Sequence, residues 1–235
     1  MTLHESEPHN AGIAGRLNWL WAGVLGANDG IVSVAAIAVG VAAATTDTAA
    51  IVPATLAALV GGAISMALGE YVSVSSQSDS ERALIRKEED ELRRMPAEEL
   101  DELTALYRAR GLSDATARQV AVELTERDAL RAHLSAELNI DPDDIVSPWR
   151  AAAASAAAFL AGGILPMLTI LLPAAVRVPI TFAVVLAALA ATGAIGARIG
   201  GSPVARGTAR VVVGGAIALA ATFAIGALLD TTGVV

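Results

Sequence analysis

The sequence predicts an all-α membrane protein with five transmembrane helices and a three-helix cytoplasmic insert between the second and the third. Of the 235 residues, 54% are hydrophobic and only 17% are charged. The apolar residues fall in five runs long enough to cross a bilayer, which takes roughly 20 residues per helix. The charge is concentrated in residues 77–150, with 18 acidic and 11 basic residues. Buried core helices of a large soluble protein are the competing interpretation, but such a core would need more polar helix faces to cover it.

The five runs define the predicted spans. They cover about residues 17–44, 53–75, 151–172, 179–199 and 208–229. Pro53 and Pro179 suit the first turn of a helix, where the missing N–H costs nothing. The predicted organisation is a disordered N-terminal tail over 1–15, helices one and two over 16–75, an acidic helical insert over 76–150, and helices three to five over 151–235.

The basic residues predict the orientation. If the N-terminus is cytoplasmic, 15 of the 16 basic residues lie on the cytoplasmic side, and Arg177 alone lies outside. Because Lys and Arg favour the cytoplasmic side, we expect the N-terminus and the insert inside and the C-terminus outside. The polar, acidic N-terminus does not resemble a secretory signal. With no targeting segment visible, we expect an integral protein of a prokaryotic cell (inner) membrane.

The insert is predicted to form three helices. Residues 78–94 form the first, as an extension of the second membrane helix, and Pro96 opens the next, which Gly111 ends. Ser113 is the predicted N-cap of the third, which runs to about Leu138. Apolar positions on one face of each helix predict that they pack together outside the membrane.

Several function classes are excluded by composition. The chain has no cysteine, which excludes disulfide scaffolds, thiolate metal sites and cysteine nucleophiles. A net charge of −8 argues against a nucleic-acid partner. No nucleophile–base pair, phosphate loop or HExxH motif is present, so we expect no enzymatic activity and no permanently bound cofactor.

Asp29 is the first residue that indicates a function. It follows Asn28 about 13 residues into the first run, roughly 20 Å along the helix from Arg16 and therefore near the bilayer midplane. A carboxylate there costs on the order of 3 kcal/mol unless it faces a partner or a wet path. The alternative is a protonated Asp29 that bonds to a neighbouring helix.

Met66 and Glu70 lie one turn apart on the second run, at i, i+4 spacing. A soft thioether and a hard carboxylate together suit a borderline divalent ion such as Fe²⁺ or Mn²⁺. Met66 alone would more often be core filler. Small residues also recur every four positions on this run, which lets helices approach closely; they are Gly61, Ser65, Gly69 and Ser73.

The insert carries two acidic pairs at i, i+3 spacing, Glu88 with Glu91 and Glu99 with Glu102, and Glu81 lies two turns before Glu88. The pairs would form an oxygen-rich divalent site if the turn near Pro96 brings them together. Spacing alone favours a solvated acidic face balanced by arginines. His133 and Glu137, at i, i+4 spacing, are further candidate ligands, although a single histidine of this kind is more often not one.

Two motifs resemble the vacuolar iron transporter family. Residues 27–33 read ANDGIVS and residues 66–73 read MALGEYVS, and an acidic helical insert precedes three more spans. The similarity extends from about Arg16 to Asp230, as in a prokaryotic-type member. It implies a homodimer in the lipid bilayer that exports Mn²⁺ or Fe²⁺ from the cytosol, in exchange for protons, for metal homeostasis.

The resemblance also implies residue roles. The ion path between the subunits would carry Asn28, Asp29 and Met66, with Glu70 at its cytosolic end. The metal-binding residues of the insert would be Glu81, Glu88, Glu91, Glu99, Glu102 and Glu137, with Co²⁺ and Zn²⁺ as further candidate ions. These roles reverse the preference for a solvated face.

The sequence departs from plant-type members of the family at four positions. Asn18 and Ala22 stand where those members carry acids, and His133 and Leu134 stand where they carry methionines. The departures leave the proton coupling and the choice between iron and manganese open. The alternative function is a membrane-anchored metal sensor or storage scaffold without transport.

Overall fold

The computed structural model describes the backbone of residues 11–231 and the side chains of residues 23–143 and 145–230. Within these residues the chain forms seven α-helices and no strand. They are α1 (Ala11–Ala44), α2 (Thr48–Arg94), α3 (Pro96–Ala109), α4 (Asp114–His133), α5 (Pro148–Thr169), α6 (Ala174–Ile199) and α7 (Val204–Thr231). Five of them, α1, α2, α5, α6 and α7, are long and apolar enough to cross a membrane. The all-α class and the five spans are therefore confirmed.

Several boundaries differ from the prediction. Helix α1 already begins at Ala11, inside the predicted tail, while residues 1–10 and the predicted outer C-terminus, 232–235, lie outside the described residues. The first-turn placement of Pro53 and Pro179 is wrong, because both lie in the second turn of their helices. For α2 the reason is Asp47, whose Oδ1 accepts a 2.9 Å hydrogen bond from the N–H of Ala49 and so starts the helix earlier.

The chain divides into two compact units. We call the first the membrane unit, which includes the residues up to Tyr71 and those from Trp149 onwards, and the second the insert, Val72–Pro148. Helix α2 contributes its apolar N-terminal part to the membrane unit and its charged C-terminal part to the insert. The domain bounds drawn from the sequence, with the insert over 76–150, stay a prediction.

Helix α1 is central to the packing of the membrane unit. Its residues Ile31, Ala35 and Val39 are buried against α6 and α7. Another of its faces packs on α5 so closely that a Cβ at Gly30 would collide with the Phe159 carbonyl. Only glycine allows this approach, which fixes the position of the motif that contains Asp29.

Among the described side chains every membrane helix exposes apolar residues, and those on α1 and α2 lie beside the predicted path residues. On α1 the uncovered side includes Leu25 and Ile37, and on α2 it is a stripe of exposed apolar and small residues. This stripe contains Leu56, Val60, Gly61, Ile64, Ser65, Leu68, Gly69, Val72 and Ser73. A Cβ at Gly61 or at Gly69 would meet open space. Both faces are therefore available to lipid or to another copy of the chain.

The insert has a small core between α3 and α4. Leu103 of α3 packs against Ala121 and Ala132 of α4. Gly111, at φ +99°, makes the turn between the helices, and the Ser113 hydroxyl accepts a 3.3 Å hydrogen bond from the N–H of Thr116. The turn glycine and the N-cap are thus at the positions that the sequence indicates.

Candidate metal centre and transport path

Three helices of the insert bring ionisable side chains together. Glu88 lies near the end of α2, Glu99 in the first turn of α3, and His133 at the end of α4. Only Met95 separates α2 from α3, and Pro96 occupies the first position of α3, where its missing N–H costs nothing. This abrupt reversal places the start of α3 beside the end of α2.

The three side chains form a buried cluster. His133 Nδ1 lies 3.0 Å from Glu88 Oε1 and 3.6 Å from Glu99 Oε2. One ligand atom from each residue falls within 4.8 Å of the other two. His133, Glu88 and Glu99 are only 0%, 3% and 5% exposed. Among the residues with described side chains, no other such group of three is found.

Hydrogen bonds do not account for this cluster. Neither ring nitrogen of His133 nor Oε1 of Glu88 has a partner with hydrogen-bond geometry. Buried polar groups without partners are costly, and native proteins rarely keep them without a reason. Two carboxylates and an imidazole nitrogen that converge in this way are a suitable ligand set for Mn²⁺, Fe²⁺ or Zn²⁺.

The end of α4 is shaped to present His133. The helix is interrupted at Asp128, at φ −165° and ψ 92°, and Asp128 Oδ1 accepts a 3.0 Å hydrogen bond from the N–H of Arg131, so a new helical segment starts there. A π-helical turn, Leu134–Leu138, then includes Glu137, and Asn139 ends it in a left-handed conformation. Such turns often occur at functional sites.

Burial and mutual repulsion shift the pKa values of the cluster. Burial, followed by the charge of Glu137, raises the pKa of Glu88 to about 7. Burial also raises the pKa of Glu99 and of Glu137, with Glu102 as the next cause for both. Burial lowers the pKa of His133. At neutral pH the imidazole is therefore uncharged, the form that binds metals.

The other predicted insert ligands have different surroundings. Glu91 and Glu102 are outside the three-residue cluster, but their charges act on Glu88 and Glu99. Glu81 accepts a 3.0 Å hydrogen bond from Gln77 and is not part of the cluster. The assignment of Glu91, Glu102, Glu137 and Glu81 as ligands stays a prediction.

Asp29 lies on the uncovered side of α1, between Leu25 and Ile37, and is partly buried. Its Oδ1 accepts a 2.8 Å hydrogen bond from the hydroxyl of Ser33, one turn along the helix. The carboxylate therefore has one donor in its own helix, and no second hydrogen bond or ion pair to it is found among the described side chains. A carboxylate on the open face of a membrane helix needs a further partner, because lipid offers none.

The remaining predicted path residues are held in different ways. Asn28 Oδ1 accepts a hydrogen bond from the hydroxyl of Thr192 on α6. Met66 packs against the core cluster around Phe159. Glu70 is partly buried, and its side chain has no hydrogen bond or ion pair to any residue that the structure describes. Their assignment to a transport path stays a prediction.

Three contacting residues are weakly indicated by the sequence or not indicated at all. A single histidine such as His133 is only a weak ligand candidate, and the motifs assign no role to Ser33 or Thr192. The i, i+4 spacing of Asp29 and Ser33 is the signal that indicates their contact. Thr192 is on another helix, far from Asn28 in the sequence, so spacing could not find it.

Comparisons with known proteins match almost the whole chain. The family model described as the VIT family matches residues 20–227. The chain is 42% identical to a "Vacuolar iron transporter" of Acanthamoeba castellanii, over 97% of this chain and 84% of the relative. It is 36% identical to "Vacuolar iron transporter homolog 5" of Oryza sativa subsp. japonica, over 94% and 86%, and 35% identical to "Vacuolar iron transporter homolog 2" of Arabidopsis thaliana, over 93% and 88%.

Proposed function

This chain belongs to the VIT family, a family of transporters and not of enzymes, and we propose that it exports Mn²⁺ or Fe²⁺ from the cytosol in exchange for protons. Metal-ion transport by an integral membrane protein follows from the family and from the five apolar helices. The names of these relatives specify iron. The choice of ion, the direction and the proton coupling are our proposal.

One observation carries the proposal: the buried cluster of Glu88, Glu99 and His133, in which Glu88 Oε1 and both ring nitrogens of His133 lack hydrogen-bond partners. A divalent cation would satisfy these atoms and offset the repulsion between the carboxylates. The nitrogen ligand favours first-row transition metals over Mg²⁺ and Ca²⁺, which prefer oxygen alone. The insert would therefore select and concentrate the transported ion.

Transport across the bilayer needs a second element, which we place at Asp29. Its carboxylate must alternate between a metal-bound and a protonated form, because a bare charge in the membrane is costly. When the metal leaves Asp29 towards the outer side, a proton from that side takes its place. The proton is released to the cytosol when the next metal ion binds. Met66 would supply a soft ligand near this point, and Glu70 would receive the ion at the cytosolic end.

We propose a homodimer because the Asp29 carboxylate needs a partner that lipid does not offer. Asp29 occupies the open side of α1, and α2 presents small residues with open space beside Gly61 and Gly69. A second copy can approach such a stripe closely. If Asp29 faces the interface, the path forms between the two subunits and the carboxylate is kept from lipid.

The proposed orientation places the N-terminus and the insert in the cytosol. Arg177, the one basic residue assigned to the outer side, is only 6% exposed and donates a 3.1 Å hydrogen bond to the Thr48 hydroxyl. It is therefore not a loop charge that would oppose this orientation. Tyr71 and Trp149 pack together, with ring centroids 4.7 Å apart, and such aromatic pairs suit the membrane–water interface. The cell membrane stays our prediction for the location.

The decisive experiment measures flux. Protein in liposomes is exposed to Mn²⁺, Fe²⁺, Co²⁺ or Zn²⁺ across a pH gradient, with a metal-quenched dye and a pH dye inside. We expect metal uptake coupled to proton movement, which Asp29→Asn abolishes. Asp47→Asn is the matched control, because Asp47 is exposed outside the apolar core and asparagine also caps helices. Metal binding without any flux would instead support the sensor or scaffold function.

A further inference from the structure

The chain contains a single lysine, and it lies beside the candidate metal centre. Of the 16 basic residues, 15 are arginines, and the exception is Lys87, next to Glu88 in the sequence. Lys87 Nζ lies 2.9 Å from Glu91 Oε2, one turn further along α2. The Lys87 side chain is 65% exposed, so it can leave this contact without disturbing the core.

The charge of Lys87 reaches beyond Glu91. The pKa of Lys87 is raised by the hydrogen bond and charge of Glu91, and then by the charges of Glu137 and Glu88. Conversely, Lys87 opposes the rise in the pKa of Glu99 and of Glu137. One ammonium group thus acts on carboxylates from α2, α3 and the turn after α4.

The other ion pairs of the insert have a different composition. Apart from the histidine contacts, each of them among the described side chains joins an arginine to an aspartate that is not a predicted ligand. Of the lysine and arginine side chains that the structure describes, only Lys87 forms an ion pair with a predicted ligand. A lysine is a compact point charge with a flexible stem, whereas the guanidinium fork of arginine can bind a carboxylate through two hydrogen bonds.

We propose that Lys87 is a displaceable counter-ion of the metal centre, which occupies Glu91 in the absence of metal and competes with the incoming divalent cation. The inference rests on the proposed metal-binding role of the insert and adds its regulation. By lowering the net negative charge of the site, Lys87 weakens metal binding and favours release. A site that passes ions onward must not hold them too tightly.

The test is a Mn²⁺ titration of the full-length protein in detergent by calorimetry. The insert component is defined as the binding lost in the Glu88→Gln/Glu99→Gln variant. We expect Lys87→Gln to lower the Kd of that component by about 3- to 10-fold, the effect of removing one screened charge near a divalent ion. Arg86→Gln is the matched control, because it removes the same charge from the adjacent, exposed position, for which no ion pair is found among the described residues.

Chemical labelling gives an independent readout. The chain has no side-chain amine except Lys87, so an amine-reactive reagent labels that residue and the N-terminus only. We expect Mn²⁺ to increase the labelling of Lys87, because the metal displaces it from Glu91, and to leave the labelling of the N-terminus unchanged.

The outcomes separate the two claims. Equal Kd values for Lys87→Gln and Arg86→Gln, or labelling of Lys87 that is insensitive to Mn²⁺, would overturn the counter-ion role and leave the metal site intact. If Glu88→Gln/Glu99→Gln loses no binding component, the insert is not a metal site, and both the proposed function of the insert and this inference are wrong.

Discussion

The hydroxyl of Ser33 donates a hydrogen bond of 2.8 Å to Oδ1 of Asp29, on the side of α1 that its own chain leaves uncovered. The donor orients the carboxylate while leaving Oδ2 without any hydrogen-bond partner among the described residues. Asp29 is thus held ready for a ligand that comes from outside the single chain.

Replacing Ser33 tests this relationship. We expect Ser33→Ala to raise the Mn²⁺ concentration for half-maximal flux by about tenfold, since a hydrogen bond to a charged group contributes about 1.5–3 kcal/mol. Maximal flux should change less, because Asp29 itself is retained. Thr222→Val is the control, as the Thr222 hydroxyl bonds only to its own helix. Equal effects of the two variants would show that the Ser33 donor is irrelevant to transport.

His133 is expected to contribute the nitrogen ligand of the insert. We expect His133→Leu to weaken Mn²⁺ binding by about 10- to 100-fold or more. Replacing a residue that only orients a metal ligand typically lowers metal affinity by about 10- to 100-fold, and His133 is a proposed ligand itself. The preference for Mn²⁺ over Mg²⁺ should fall as well, since Mg²⁺ does not need nitrogen. Competition calorimetry on the full-length protein measures both. An unchanged Mn²⁺/Mg²⁺ ratio would remove His133 from the ligand set.

Metal binding by the insert should depend on pH near neutrality. Glu88 has a pKa of about 7, and its proton must leave before the carboxylate binds metal. Affinity for Mn²⁺ should therefore fall as the pH is lowered from 8 to 6, with protons released on binding. Titrations in buffers of different ionisation enthalpy count those protons. Glu88→Gln should bind weakly and with little pH dependence in this range.

Without metal, the same shift has the opposite consequence for stability. The pKa of Glu88 is higher in the folded insert than the ordinary value of 4.5, so folding takes up a proton between those values. Stability from this group is complete below pH 4.5 and is lost as the pH rises through about 7. Thermal unfolding of the protein in chelator should show this decline, and Glu88→Gln should reduce it.

The acidic pairs should affect substrate capture more than turnover. Replacing Glu88, Glu91, Glu99 and Glu102 together with alanine should raise the metal concentration for half-maximal flux more than it lowers the maximum, because the path in the membrane unit is unchanged. The control is the same number of alanines at exposed glutamates elsewhere in the insert, namely Glu89, Glu98, Glu123 and Glu126. If both sets behave alike, the effect is one of net charge and not of a site.

Glycine packing gives a prediction for stability. A side chain at Gly30 would collide with the Phe159 carbonyl, whereas one at Gly61 would meet open space. We expect Gly30→Ala to lower the unfolding temperature in detergent markedly and to reduce flux. Gly61→Ala should leave the fold of the single chain intact, so a shift of the monomer–dimer equilibrium by that variant would place the interface at Gly61.

The spans were predictable because length and apolar composition are properties of contiguous residues. The starts of α1 at Ala11 and of α2 at Thr48 were not predictable from the apolar runs, because the residues before each run are helical as well. The candidate metal centre was predictable in part. Spacing and the turn at Pro96 made Glu88 and Glu99 candidates, and the family resemblance was needed to prefer a metal site over a solvated face. The burial of His133 depends on the interruption at Asp128, where nothing in the local sequence indicates a break.

The π-helical turn after His133 makes chain length as important there as residue identity. Such a turn holds one more residue than an α-helical turn, so deleting Ser135 or Ala136 would restore ordinary winding and change the direction in which Glu137 leaves the helix axis. Related chains can therefore exchange residues in this stretch, but an alignment gap there would mark a protein that has lost the geometry. The tip between α3 and α4, at Gly111 and Leu112, is free of that constraint and can vary in length.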